Sequence, residues 1–266
     1  MLNSIDPTKP LSLNDLILWS PTRPPEIISN GILPKGHIMF LYGEQGTYKS
    51  WLLLDLVFSI IQGKNWLVYK TQPAKVLVLN PEMPVYDYRE RIIDYIQTKQ
   101  LSIASNLVNF WTDLDIKLNE NSGKGLLISY VQKFQPDLII IDGLEFVCRG
   151  DVATSIVAEG IKDTINQIRK INNASFLFVH HKRKGSYDVN SNQRFDRGID
   201  DMYGHSLIKN LADTVLEVYK DDKDEDVIYM RSMKLRMSKT GSLPILPYRF
   251  NRDNLSFELF IGDEMF

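Results

Sequence analysis

Cysteine is almost missing from this 266-residue chain, where Cys148 stands alone. An internal disulfide is therefore excluded, and the pattern fits a reducing compartment. Histidine is scarce as well, with four residues, so a structural zinc site has too few ligands to draw on. Long apolar runs are lacking too. The most apolar stretch, Trp51 to Ile61, is interrupted by Asp55 and is too short to span a bilayer. No N-terminal segment joins a basic start to an apolar core, so no leader and no membrane association are expected, and the expected location is cytoplasmic. Nor does one charge dominate: 31 Lys and Arg face 33 Asp and Glu, for a net charge of −2. Without a global basic field the outer surface is not built to coat nucleic acid, although a ring can still gather basic residues in a central channel. Hydrophobic residues at 44% and charged residues at 24% are ordinary for a globular chain. The length suits one large domain with a short appendage.

Prolines 7, 10, 21, 24, 25 and 34 crowd the first 35 residues. Such density predicts an extended arm over residues 1–35, with one short helix at Leu11 to Trp19, ahead of a domain over 36–266. From His37 onward, strand-like and helix-like runs alternate. Strands are predicted at His37–Tyr42, Lys75–Asn80, Leu107–Trp111, Asp137–Asp142 and Ser175–His180. Helices are predicted at Trp51–Gln62, Tyr86–Lys99, Lys124–Phe134 and Val152–Ile171. This alternation implies an α/β fold with a mostly parallel sheet covered by helices on both faces. After Gly204 the pattern changes: Thr214–Tyr219, Val227–Leu235, Pro247–Phe250 and Ser256–Phe260 read as strands without intervening helices, an antiparallel extension at the sheet edge.

The most informative segment is Gly43, Glu44, Gln45, Gly46, Thr47, Tyr48, Lys49 and Ser50, placed between the first buried strand and a helix that opens near Trp51. A strand, a Gly-rich turn and a helix in that order aim several backbone N–H groups at an anion, which the helix dipole also favours. Lys49 supplies a point charge for β- and γ-phosphates, and the Ser50 hydroxyl can ligate Mg²⁺. Tyr48 departs from the phosphate-loop pattern, standing where its last glycine is expected.

A phosphate cradle needs a metal-positioning acid and a group that activates water. Asp142 ends an apolar parallel strand at the edge where ligands of such sheets gather, so it is expected to meet Mg²⁺ indirectly or through water, with a carboxylate capping the Asp142-Gly143 turn as the alternative. Glu82, in the turn Asn80-Pro81-Glu82-Met83-Pro84, suits a general base or an orienting group for water, although its spacing alone would equally fit a surface acid. His180 and His181 close a strand on the same edge. They could sense a γ-phosphate or simply be polar residues at a strand end. The following segment, 182–203, is long and polar, carrying Lys182, Arg183, Lys184, Arg194 and Arg197 with Tyr187 and Phe195 interleaved. That mixture suits single-stranded nucleic acid, with a solvated loop as the alternative. Arg149 could join that surface. Lys234 and Arg236 end a late strand on one side and could reach a neighbouring subunit's nucleotide, or simply face solvent.

Together these segments resemble the RecA-like hexameric ATPases, specifically the RepA-type replicative helicases of plasmids and phages, relatives of the DnaB core. The resemblance rests on LPKGHIMFLYGEQGTYKSW, VLVLNPEM, LIIIDG, FLFVHHKRK and the late KLR, over roughly residues 25–250. It implies Mg²⁺ and ATP as cofactors, with Lys49 and Ser50 in the Walker A loop, Asp142 as the Walker B acid and Glu82 as the catalytic glutamate. It implies further that His180 or His181 senses the γ-phosphate and that Arg236, assisted by Lys234, acts as an arginine finger in trans. The implied partners are identical copies in a hexameric ring, single-stranded DNA, and a replication initiator or primase. The segment KLRMS is also similar to the K-x-R-x-S motif of KaiC-like and RadA-like ATPases, which would make the chain a regulatory or recombination-associated ATPase or a helicase loader.

Overall fold

The computed structural model describes residues 9–102, 106–112, 115–183 and 198–260. Helix α1 (Leu13–Leu18) leads to two brief strands, β1 (Glu26–Ile28) and β2 (Leu33–Pro34). Strand β3 (Ile38–Gly43) runs into α2 (Lys49–Gln62), which is followed by the small hairpin β4 (Asn65–Trp66) and β5 (Tyr69–Lys70). Then β6 (Val76–Asn80), α3 (Val85–Thr98), β7 (Val108–Thr112), α4 (Asn121–Phe134), β8 (Leu138–Asp142), α5 (Ser155–Asn172) and β9 (Ser175–His181) alternate. After α6 (Ser206–Leu211) come β10 (Thr214–Lys220), β11 (Val227–Leu235), β12 (Leu246–Asn251) and β13 (Ser256–Leu259).

Among the described residues, nine strands form one sheet in the order β13-β12-β11-β10-β3-β9-β8-β6-β7. The six from β10 to β7 run parallel, and β11 to β13 add antiparallel at one edge. The α/β architecture expected from the alternation is the one that forms.

Every residue of β3, β6 and β8 is buried, because both faces of the sheet are covered and the strands need no polar side. Side chains still alternate between two cores. Met39 and Leu41 of β3 face α2 and its apolar residues Leu52, Leu53, Leu56, Val57 and Ile60. Ile38, Phe40 and Tyr42 face the opposite core, to which α5 contributes Val157, Ala158, Ile161, Ile165 and Ile168. Residues 26–34, expected as part of the arm, carry β1 and β2, and Ile27, Ile28, Ile32 and Leu33 are buried in the first of these cores. Helix α1 is closed by a reciprocal Ser12–Asp15 cap and has no buried residue.

Besides β1 and β2, the hairpin β4–β5 and helix α6 have no expectation from the sequence behind them. The hairpin β4–β5 offers two residues per strand, too few for a period to register. Helix α6 has six residues and starts where His205 Nδ1 accepts from the Leu207 N–H at 3.1 Å. No helix among the described residues is long and apolar enough to cross a membrane.

The connections position the site. The chain leaves β3 through α2 on one face, and leaves β9 toward α6 and β10 on the other. The crevice beyond the carboxyl ends of β3 and β9 is therefore a topological switch point, where ligands of such sheets bind.

Candidate nucleotide site

Residues 44–48 turn from β3 into α2, leaving the N-terminal N–H groups of α2 without intrahelical partners and available to an anion. Gly43 has to be glycine, since a Cβ there would run into the Val218 carbonyl oxygen of β10. Gly46 adopts φ +80°. Lys49 is buried, and its ammonium donates to the carbonyls of Gly43 (3.1 Å) and Glu44 (2.5 Å) and to Thr47 Oγ1 (3.3 Å). Burial lowers Lys49 to about 8, against the opposing pull of the Asp142, Glu82 and Glu145 carboxylates. A phosphate arriving here would exchange neutral acceptors for anionic ones, which make the stronger bond.

Tyr48 explains why the pattern expects glycine at its position. It has φ 58° and ψ 18°, the left-handed conformation, which costs a residue with a Cβ about 1–2 kcal/mol. Its side chain leaves the phosphate side and is held by the antiparallel extension. The hydroxyl donates to Asp226 Oδ1 at 2.5 Å and accepts from Arg252 Nη2 at 2.7 Å. The ring packs on Phe250 with centroids 4.6 Å apart.

The ends of β6, β8 and β9 deliver most of the other groups. Asp142, at the end of β8, is buried and accepts from Asn80 Nδ2 at 3.2 Å, with Ser50 close enough to favour its charged form. Asn80, at the end of β6, in turn accepts from the Met83 N–H at 3.0 Å, tying the Glu82 turn to Asp142. Glu82 is exposed, with its carboxylate over Gly143 and close enough to act on both Lys49 and Asp142. Arg91 of α3 stacks its guanidinium over Trp51 at 5.1 Å and faces Asp142. Lys49, Ser50, Glu82, Arg91, Asp142 and His181 line a cavity of about 270 Å³.

His180 and His181 share one carboxylate. Glu145, in the turn after β8, accepts from His180 Nδ1 at 3.1 Å and from His181 Nε2 at 3.0 Å, while His180 Nε2 bonds the Tyr203 carbonyl at 2.7 Å. Burial would raise the Glu145 carboxyl, but the bonds from His180 and His181 prevail and hold it well below the usual carboxylate range. The same Glu145 bond raises His181. Asn80, Arg91 and Glu145 are absent from the sequence reading because only strand order reveals that they converge here. A polar residue ending a continuous apolar strand, as Asn80 does, is the one signal that could have been read.

Burial, followed by the nearby Glu82 charge, pushes Asp142 up to about 6, with Lys49, Ser50 and Arg91 opposing. A carboxyl with a raised pKa in the fold stabilises it below the unfolded value of 3.8 and loses that contribution as pH rises through about 6. At pH 7 the buried charge costs on the order of 3 kcal/mol. Asp142→Asn is therefore expected to raise the melting temperature of the ligand-free protein at pH 7–8, with the gain shrinking toward pH 4. Melting curves across that range check it, and a loss of stability at pH 8 would contradict it.

The basic residues are placed less uniformly. Lys182, expected to face DNA, turns inward: its ammonium lies 2.6 Å from Glu217 Oε1, and Arg231 Nε bonds the other oxygen of that buried carboxylate at 2.6 Å. Arg183 is exposed, and Arg149 is exposed beside Glu120. Lys184, Arg194 and Arg197, with Tyr187 and Phe195, lie outside the described residues. Lys234 donates to the Lys209 carbonyl at 3.2 Å. Arg236 is half-exposed and 3.1 Å from Asp213 Oδ1. Leu235 pairs with Thr214, which pairs with Met39, so Arg236 sits beside the opposite end of β3 from the phosphate loop, roughly 17 Å along the strand.

The donor set fits magnesium. Ser50 and Asp142 offer a hydroxyl and a carboxylate on the wall of one cavity, and no cluster of three or more His, Cys, Asp or Glu ligands is present among the described residues. Magnesium held by one or two protein oxygens and otherwise by phosphates and water needs no more.

The AAA domain family matches residues 6–187, more than half of the chain. A comparison with curated proteins finds no match. Among solved structures, a KaiC-like protein from the hyperthermophilic archaeon Pyrococcus horikoshii OT3 superposes with a TM-score of 0.61 at 10% identity, covering 91% of this chain and 100% of that one. At that identity the likeness speaks for the fold. The chain belongs to the AAA domain family, and its family and its KaiC-like RecA fold make it a RecA-like P-loop ATPase.

Proposed function

We propose that the chain hydrolyses Mg-ATP as a hexameric ring of identical copies and couples turnover to movement along single-stranded DNA, in the replication of a plasmid, phage or other mobile element. The observation that carries the hydrolytic part is the convergence of Lys49, Ser50, Asp142, Glu82 and the His180–His181 pair on one crevice.

In this reading Lys49 leaves the Gly43 and Glu44 carbonyls for the β- and γ-phosphates. Ser50 and Asp142 would hold magnesium, which when bound neutralises charge on the phosphate oxygens. Glu82, exposed over the crevice, orients the attacking water and takes its proton. His181 faces the γ-phosphate position, and Glu145 and His180 connect it to Tyr203, at the far end of the basic segment. Arg236 is too far along the sheet to serve its own loop, which supports a role at a neighbour's nucleotide. The DNA part rests on the resemblance to replicative helicases and on the basic segment following β9.

A second reading, a KaiC-like regulatory ATPase that does not move on DNA, is favoured by one observation: Lys182 is committed to Glu217 inside the fold. Hydrolysis measured with and without single-stranded DNA separates the two, on material whose mass in solution is known. Acceleration of about tenfold or more on a hexamer is expected for the first reading. Unchanged turnover would leave the second.

A further inference from the structure

Tyr48 is strained in the phosphate loop and anchored outside it. The residue directly before Lys49 holds φ 58°, and its hydroxyl is fixed between Asp226, at the foot of β11, and Arg252, just after β12. Arg252 also binds Asp226 at 2.8 Å. Lys220 lies 5.3 Å from the Tyr48 ring centroid. The tyrosine hydroxyl is thus satisfied as donor and acceptor at once, and the ring is backed by Phe250.

We propose that Asp226 and Arg252 are positioning residues for nucleotide binding, which hold the phosphate loop in its anion-binding shape through the Tyr48 side chain. This rests on the phosphate loop being the nucleotide site. Glycine at this position visits the left-handed region freely, whereas tyrosine does not. A loop that populates its binding shape only in part binds with an affinity reduced by that fraction. The clamp from the antiparallel strands removes the reduction by giving Tyr48 contacts that exist only in the left-handed conformation. The extension beyond β10 thereby gains a function in the site, reaching the phosphate loop through the Tyr48 side chain.

The test is a mutational cycle read by Mg-ADP affinity in calorimetry, with melting curves to confirm folding. Asp226→Asn, Arg252→Ala and Tyr48→Phe are each expected to weaken Mg-ADP binding about fivefold. In the Tyr48→Gly background, Asp226→Asn and Arg252→Ala should have no further effect on affinity. Equal losses in both backgrounds, or no loss in either, would overturn the clamp while leaving the site intact. Lys49→Ala separates the two claims. If it binds Mg-ADP as the unaltered protein does, or if the unaltered protein binds none, the nucleotide site itself is misplaced and the clamp falls with it.

Discussion

Arg236→Ala should lower ATP turnover by about a thousandfold while leaving the fold unharmed, and Lys49→Ala protein should restore it on mixing. The first half follows from charge. A guanidinium brought to the γ-phosphate stabilises the transition state only, so its removal acts on kcat. The fold should tolerate the change because Arg236 is half-exposed and pairs with Asp213 across 3.1 Å; such surface pairs contribute about 1 kcal/mol or less. The second half follows from position. Arg236 lies at the opposite end of β3 from Lys49, so each variant keeps what the other lacks. In a mixed ring some interfaces combine an intact Lys49 with a neighbour's intact Arg236, and those would turn over. Titrating one inactive variant into the other at fixed total protein reads this directly. A flat line at zero turnover would remove the trans assignment.

Replacing Glu82 with glutamine should cost about a thousandfold in kcat, within the range for loss of a positioned general base, and leave Mg-ADP affinity unchanged. The carboxylate is exposed over Gly143, so the isosteric amide neither creates a cavity nor buries a polar group. It approaches Lys49 and Asp142 without a hydrogen bond to either among the described contacts, which is the arrangement wanted of a group whose partner is a water. Single-turnover hydrolysis and calorimetric binding on the same preparation separate the two quantities. A variant hydrolysing at the unaltered rate would reduce Glu82 to a surface acid.

Much of the fold is legible in the order of the residues. The runs ending at Tyr42, Leu79, Ile141 and Val179 are apolar throughout because both faces of the sheet are covered, and continuous runs of four or five separated by helical patterns imply parallel strands. Helix ends slip by a few residues for reasons visible afterwards. Helix α5 starts at Ser155, after the Thr154 cap, and stops before Asn173 in the left-handed conformation. The phosphate loop and Asp142 can be placed by adjacency alone, one on a strand-to-helix turn and the other at a strand end. Asn80, Arg91, Glu145 and Glu217 cannot. Each takes its meaning from a side chain many residues away, and the pairing order of β3, β9, β8 and β6 is not written in any local period. Tyr48 stands between these cases. Its departure from glycine is visible in the sequence, but the anchor that makes it tolerable comes from residues 226–252.

One carboxylate ties the turn that follows β8 to the strand end that precedes the basic segment. Because Glu145 accepts from His180 and His181 together, and His180 also reaches Tyr203, a displacement of that turn would have to break bonds to the end of β9 or carry that strand end along.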